Sequence, residues 1–369
     1  MKSSISEQTQ TDFFASRLKE YKSLIDECIE SFAAEFKVDI ADQFGDIPEV
    51  VAQTFTDYLQ RGGKRIRGAL TMVTYELFGG RDKQMILDAA LAIEMLQAYI
   101  LIMDDIQDRS ETRRGGKTSH IALRDYHKSK SLKDDSLHFG ESMAMNAFII
   151  GCHSAINVVA GLDAQPERIL KAIKNINSCY ITTAHGQTMD IYNEVADKVL
   201  EQDVDNVLVW KTAYYTFVNP MQFGAILAGA DEGDLKKIYD YGIPAGRAFQ
   251  ITDDILGIFG EEFDSGKSPL DDIKEGKRTV LTIKALELAP NEQSEFLGNC
   301  LGKHDLSQDE FELCRKIIID SGALEFAKES AQNSVDEARR VVHGFPDSWN
   351  KECLNFLEGL VSFLIGRRA

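Results

Sequence analysis

Leu96–Lys117 reads LQAYILIMDDIQDRSETRRGGK: an apolar run, then Asp104, Asp105 and Asp108, then the basic turn Arg113-Arg114-Gly115-Gly116-Lys117. On a helix Asp104 and Asp108 share one face, a turn apart, with roughly 5–6 Å between their Cβ atoms. Two carboxylates that close repel unless a cation lies between them. With no His or Cys nearby the donors are hard oxygens, which suit Mg²⁺, an ion that keeps its waters and shares substrate phosphates. Arginines just downstream suit the same phosphates through bidentate bonds. A solvated acidic helix end before a basic loop would use the same residues, and for this motif alone it is the commoner outcome. Met95, Leu96, Ile100, Leu101, Ile102 and Met103 weigh against it, because they put the carboxylates at the foot of a buried helix, where unpaired charge is expensive.

Upstream and downstream the periodicity is helical. Phe13, Phe14, Leu18, Tyr21, Leu24, Ile25, Cys28, Ile29 and Phe32 predict an amphipathic outer helix over 12–36. Pro48 opens the next, to Leu59. Arg61-Gly62-Gly63-Lys64-Arg65-Ile66-Arg67-Gly68 then forms a basic, Gly-rich turn before an apolar helix over 70–78. Backbone that can approach closely, beside free helix N–H groups, makes an anion site chemically sensible there. A long helix over 81–108 carries the opening stretch, with Gln97, Ile100/Leu101, Asp104 and Asp108 in one stripe. Residues 128–135 read as a surface loop, and helices follow over 140–159 and 166–193. His185 reads as a hydrogen-bonded core residue without chemistry.

The length of 369 residues with 44% apolar content permits a large core, and seven prolines with few alternating β-branched runs favour an all-α fold. Without internal repeat or linker, one domain over 1–369 is the simplest account, with residues 1–11 expected to be disordered. A balance of 41 basic against 59 acidic residues, net −18, speaks against nucleic acid or an anionic membrane surface as a general partner. An anionic substrate then needs local cations. Six scattered cysteines without a CxxC pair read as reduced thiols. MKSSISEQTQTDFF has neither a signal-peptide core nor a transit-peptide face, so the cytoplasm is expected. Residues 142–162 could span a bilayer by length, but interrupting polar residues make a buried central helix the better account, with no membrane span.

Two later stretches add chemistry. Lys211-Thr212 lies in an apolar run, where the lysine either snorkels to solvent or faces an interior polar site; Pro220 should kink or break this region. In IPAGRAFQITDDILGIFG, residues 243–260, Gln250 and Asp254 share a helix face beside Asp253. Two aspartate pairs, each at the foot of an apolar helix, are far less expected by chance than one. Residues 262–277 read as a loop of a size that usually carries function or is disordered, offering Lys267, Lys274 and Lys277.

GGKRIR, DDIQD with RRGG, KT, FQITDD and GKSPLDDIKEGKRT, in this order over nearly the whole chain, resemble the trans-isoprenyl diphosphate synthases, the farnesyl and geranylgeranyl diphosphate synthases. The resemblance implies an all-α, single-domain antiparallel helix bundle around a deep central cavity, normally a homodimer. It implies chain elongation: an allylic diphosphate ionises, C4 of isopentenyl diphosphate attacks the cation, and a proton is lost. Carried over by position, Asp104, Asp105, Asp108, Asp253 and Asp254 would hold three Mg²⁺ ions. Arg113, Lys211, Gln250 and Lys267 would contact the allylic substrate, with Lys277 closing over it. Lys64, Arg67, Gln97 and Arg114 would hold isopentenyl diphosphate. Lys211, Thr212 and Gln250 could turn a hydroxyl or carbonyl dipole to the cation.

Three positions depart from the family pattern. Gly257 stands where many members have a third aspartate, which a water would replace; position 97 is glutamine where others have histidine; Gly140-Glu141 stands for a Gly-Asp pair. Product length in the family is read just before the first aspartate, five residues back being roughly 7.5 Å along the helix. The single aromatic Tyr99 resembles synthases making C20, and two aromatics would suggest C15. A helical wheel puts Tyr99 about 140° from Asp104 and so favours Ile100 as the cavity floor. Geranylgeranyl diphosphate synthase is therefore the expectation. Farnesyl diphosphate synthase is one alternative and a class I terpene cyclase another, since Asp253, Gly257 and Glu261 match the spacing of a cyclase metal motif. Lys64, Arg67 and Arg114 disfavour the cyclase, which needs no isopentenyl site. A regulatory, non-catalytic bundle is disfavoured by the intact Asp104, Asp105 and Asp108, and a di-iron bundle by the lack of any Glu-x-x-His.

Overall fold

A computed structural model describes residues 7–260 and 269–366. The fold is all-α; among the described residues the β-structure is one hairpin of two-residue strands. Two compact units appear, one of Ser16–Ile173 with Phe223–Gly229, the other of 7–15, 174–222, 230–260 and 269–366.

In the first unit, α1 (Glu7–Phe44) is longer than its apolar core suggests and ends at Gly45, whose φ of 83° stops a helix cheaply. Residues 7–11, expected to be disordered, are helical; 1–6 lie outside the described residues. Next, α2 (Asp46–Gln60) takes Pro48 in its first turn and stops before Gly62 and Gly63, at φ 82° and 128°. Helix α3 (Ile66–Leu77) starts four residues before the expected Leu70, with Arg65 at φ 52°. This unusual backbone is held because the buried Arg65 side chain meets Asp26 at 2.7 Å, Glu94 at 3.3 Å and Leu59 O at 2.7 Å. Helix α4 (Lys83–Gln107) begins where the Asp82 side chain accepts from Met85 N at 3.0 Å and ends at Asp108.

Strands β1 (Thr112–Arg113) and β2 (Gly116–Lys117) pair antiparallel around Arg114 and Gly115, both at positive φ, the geometry of a two-residue type I′ turn. Helices α5 (Ser119–Ser129) and α6 (Ser136–Ala160) cross so closely that a Cβ on Gly140 would meet His120 O at 2.2 Å, which accounts for glycine there. Helix α4 packs against α3 and α6. Helices α4 and α6 are both long and apolar enough to cross a membrane, and α4 is mostly buried in protein. The expectation that α6 is a buried central helix fails: one face, with Ala144, Ala147, Gly151 and Ala155, is buried, while Met145 and Ile149 are 47% and 51% exposed. Apolar composition predicts that a face will be covered, not that this chain covers it.

Further along the chain, α7 (Pro166–Val195), α8 (Glu201–Val207), a π-helix (Leu208–Val218) and α9 (Asn219–Ala228) precede α10 (Glu232–Phe259); residues 166–173 and 223–228 among them belong to the first unit. Pro220 does not break this region. The π-helix ends at Asn219, whose N–H still bonds Tyr214 O, so the change of hydrogen-bond pattern falls beside the one residue that has no N–H to give. A one-turn α11 (Asp271–Glu275), closed by Gly276 at φ 79°, lies within the segment expected as loop. It is followed by α12 (Val280–Leu288), α13 (Asn291–Cys300), α14 (Gln308–Asp320), α15 (Ala323–His343) and α16 (Lys351–Gly366). Helix α10 packs on the π-helix, α15 and α16, and its buried Tyr241 donates to Leu357 O at 2.8 Å. Ile255, Ile273, Leu281, Phe311 and Ile317 belong to one buried cluster that seats α11 against the foot of α10. All six cysteines are free.

Candidate active site

One cluster of candidate site residues lies at the end of α4. Asp105 is completely buried, and its oxygens accept from Tyr58 Oη at 2.5 Å and from Arg113 Nε at 2.7 and 2.8 Å. Arg113 also reaches Asp104 Oδ2 at 3.0 Å. Burial raises the Asp105 pKa, opposed by Arg113 and Tyr58, while Asp104 adds to the rise. Burial disfavours the Arg113 charge, but Asp105 and then Asp104 outweigh it and hold the guanidinium above its ordinary value. Asp104 and Asp108 are half-buried, a turn apart, with Asp108 N donating to Asp104 O at 2.8 Å.

The hairpin turns Arg114 back to the Gly62-Gly63 loop, where its Nη1 donates to Gly62 O. A Cβ on Gly63 would stand 3.1 Å from the same guanidinium, so the glycine leaves room for it. The pKa of Arg114 is lowered by burial and by Arg65, Arg113 and Arg67, with Glu94 opposing. The guanidinium groups of Arg65, Arg113 and Arg67 lie close enough to disfavour the Arg114 charge, a local positive field that suits an anion. Lys64 is exposed and Arg67 half-buried in the same loop. Gln97 is 8% exposed, and its Oε1 has no hydrogen-bond partner among the described residues, an orphaned acceptor in the stripe that ends at Asp104. Tyr99 is 5% exposed, edge-on to Phe148 at 4.9 Å, whereas Ile100 is only partly buried.

A second cluster is built on α10 and the π-helix. Thr212 Oγ1 donates to Gln250 Oε1 at 2.8 Å, and Gln250 Nε2 donates to Asp254 Oδ1 at 2.7 Å. Lys211 faces the interior rather than snorkelling, 2.5 Å from Asp190 Oδ2 on α7. Lys277 meets Glu194 at 2.6 Å, with Asp190 at 3.6 Å and Glu275 at 3.7 Å. Gly186 lets α7 approach this closely, since a Cβ there would meet Lys211 N at 2.5 Å. Asp190, Lys211, Thr212, Gln250, Asp254, Asp272 and Lys277 line a cavity of about 120 Å³. The Asp254 pKa is held well above the carboxylate range by burial, and then by Asp272, Asp253 and Asp190, against the Gln250 bond.

Among the described residues no three His, Cys, Asp or Glu side chains alone cage an ion. Carboxylate donors beside cations fit an ion that takes the rest of its shell from phosphate and water, as Mg²⁺ does. Lys267 lies outside the described residues. Tyr58, Asp190, Glu194 and Asp272 were not singled out from sequence. Asp190 lies on the amphipathic α7 with no aspartate partner one turn away, and neither it nor Tyr58 belongs to a motif.

Residues 48–318 match the polyprenyl synthetase family. This chain belongs to the polyprenyl synthetase family. The synthetase is 31% identical to a geranylgeranyl pyrophosphate synthase of Geoglobus acetivorans over 95% of this chain and 98% of that one. It is 30% identical to a geranylfarnesyl diphosphate synthase of Aeropyrum pernix over 86% and 95%. Its fold matches the crystal structure of a geranylgeranyl pyrophosphate synthase from Corynebacterium glutamicum, complexed with isoprenyl diphosphate and magnesium, at a TM-score of 0.89, 28% identity and 95% and 99% coverage. The family match runs from the first turn of α2 into α14, so both clusters lie within the matched region.

Proposed function

We propose that this polyprenyl synthetase is a trans-prenyltransferase that joins isopentenyl diphosphate to allylic diphosphates with Mg²⁺ and releases geranylgeranyl diphosphate. The observation that carries the reading is the cavity in which Lys211 and Lys277 stand among Asp190, Asp254 and Asp272, with the Thr212–Gln250 pair on its wall. Cations and carboxylates together suit a metal-bridged diphosphate better than any single ion.

The allylic C–O bond breaks with its electron pair leaving on diphosphate. Lys211, Lys277 and Arg113 take up that charge, exchanging their internal carboxylate partners for phosphate oxygens. Mg²⁺, three ions in the family pattern, supplies further neutralisation when bound through Asp104, Asp108, Asp253 and Asp254. Asp105, with both oxygens already engaged, orients Arg113. Gln250 Oε1 and Thr212 Oγ1 offer oxygen dipoles to the allylic cation. Lys64, Arg67, Arg114 and the N–H donors of the Gln97 amide hold isopentenyl diphosphate, whose C4 attacks the cation. The released diphosphate takes the proton, so no side chain need act as base.

Ile100, on the stripe of Gln97 and Asp104, sets the product length, because Tyr99 is turned into the packing beneath α6. The exposed apolar face of α6 is covered by a second copy of the chain, making a homodimer that works in the cytoplasm. Incubation with Mg²⁺, labelled isopentenyl diphosphate and C5, C10 or C15 allylic diphosphates tests the reading. Label in a C20 product supports it; a C15 end point means farnesyl diphosphate, and an unlabelled hydrocarbon from the allylic substrate alone refutes prenyl transfer.

A further inference from the structure

Tyr58 has no part in the reaction as described, yet its hydroxyl joins three elements. Buried on α2, it donates to Asp105 Oδ2 at 2.5 Å and accepts from Ser119 N at 3.1 Å. The second bond serves the start of α5, because the N-cap Thr118 gives that helix no side-chain cap and donates to Ser110 O at 2.7 Å instead. One hydroxyl thus ties α2 to both segments flanking the hairpin that carries Arg113 and Arg114.

Arg113 is shared. Its Nη2 lies 2.6 Å from Asp105 Oδ1, in the interior, and 3.0 Å from the half-buried Asp104 Oδ2. How that guanidinium divides itself decides how readily Asp104 and Arg113 can each turn to a metal-bound diphosphate. A carboxylate that loses one of its donors binds its remaining cation differently, and bonds to ionised groups are the strong ones.

We propose that Tyr58 is a positioning residue for prenyl transfer: by completing the shell of Asp105 it fixes Arg113 where the guanidinium meets the allylic diphosphate. This rests on the reading that Arg113 contacts that diphosphate. The element tested is one hydroxyl, and Tyr58→Phe removes nothing else. The variant raises KM for the allylic diphosphate about tenfold, equivalent to ~1.4 kcal/mol, and leaves KM for isopentenyl diphosphate nearly unchanged. Calorimetric titration of the full chain with inorganic pyrophosphate and Mg²⁺ shows the same weakening without turnover.

Thr54→Val is the control for a purely structural role. It removes the Ser119 Oγ to Thr54 Oγ1 bond of 2.8 Å in the same cluster without touching Asp105, so Tm falls and both KM values stay. An unchanged allylic KM and pyrophosphate affinity in Tyr58→Phe overturns the proposal, as does an equal KM rise in Thr54→Val. Arg113→Gln separates the two ideas. If it raises the allylic KM while Tyr58→Phe does not, only the positioning role fails; if neither does, the Arg113 reading fails as well. Should Tyr58→Phe not fold, Asp105→Asn must show the same selective rise, and without it the proposal falls.

Discussion

Oδ2 of Asp272 lies 2.3 Å from the place a Cβ would take on Gly257. The third position of the second aspartate motif is thus covered by a carboxylate arriving from α11, fifteen residues later in the chain. On the proposed reading this carboxylate, rather than water alone, would stand in for the missing ligand. Asp272→Asn is expected to raise the Mg²⁺ concentration for half-maximal activity about tenfold, the size of effect typical for groups supporting a metal site. Gly257→Asp, which restores the family motif on paper, is expected to lower both activity and Tm, because its side chain meets Asp272. Metal titration and calorimetry check the pair; a more active Gly257→Asp would refute the substitution of one carboxylate for the other.

Asp104 is the half-buried partner of Arg113, and on the proposed reading it also faces the metal. Asp104→Ala is expected to lower kcat by at least about a hundredfold while the far-ultraviolet circular dichroism stays native. Full turnover in this variant would remove Asp104 from the site.

Ile100 and Tyr99 are adjacent in sequence and separable by experiment. Ile100→Ala is expected to lengthen the product by one or more isoprene units. Tyr99→Ala empties a ring packed against Phe148, so its main effect is a stability loss of about 3–5 kcal/mol. Mass spectrometry of the products beside urea unfolding distinguishes them. Unchanged length in both variants would place the cavity floor on another helix.

Asp254 carries a pH signature in the metal-free protein. Its pKa is raised on folding by burial and neighbouring carboxylates, so the folded chain holds this proton more tightly than the unfolded chain does. The stability tied to that proton is present at low pH and is lost as pH rises from the ordinary carboxylate range through the raised value. Above the ordinary carboxylate range this residue therefore costs the fold stability. Asp254→Asn is expected to raise Tm at pH 7, to do so less at pH 4, and to abolish most turnover. A variant less stable at both pH values would show that the carboxylate is compensated within the fold.

Helices were legible because their signals are local: apolar spacing on α1, α4 and α10, the proline that opens α2, and the glycines that end it. The cations and aspartates were legible as motifs for the same reason. Tyr58 was not, because its bond to Asp105 spans α2 to α4 and a lone tyrosine on an apolar face signals packing. Asp272 was hidden in a loop-like stretch whose short helix is placed by Ile273 in a distant core. The exposed face of α6 was invisible because hydrophobic content says nothing about which surface meets it. Pro220 was misleading since the π-helix before it had already changed the hydrogen-bond pattern.

The π-helix over Leu208–Val218 has one more consequence. A wide turn of this kind holds more residues than an α-turn over the same rise, so the segment behaves as a vernier between α8 and α9. Deleting one residue would let it tighten to α-geometry and relieve the looser hydrogen bonding. The same change would swing the residues on one side by about 100°, taking Lys211 and Thr212 off the face they present to Asp190 and Gln250. A shorter chain could thus be the better helix and a dead enzyme.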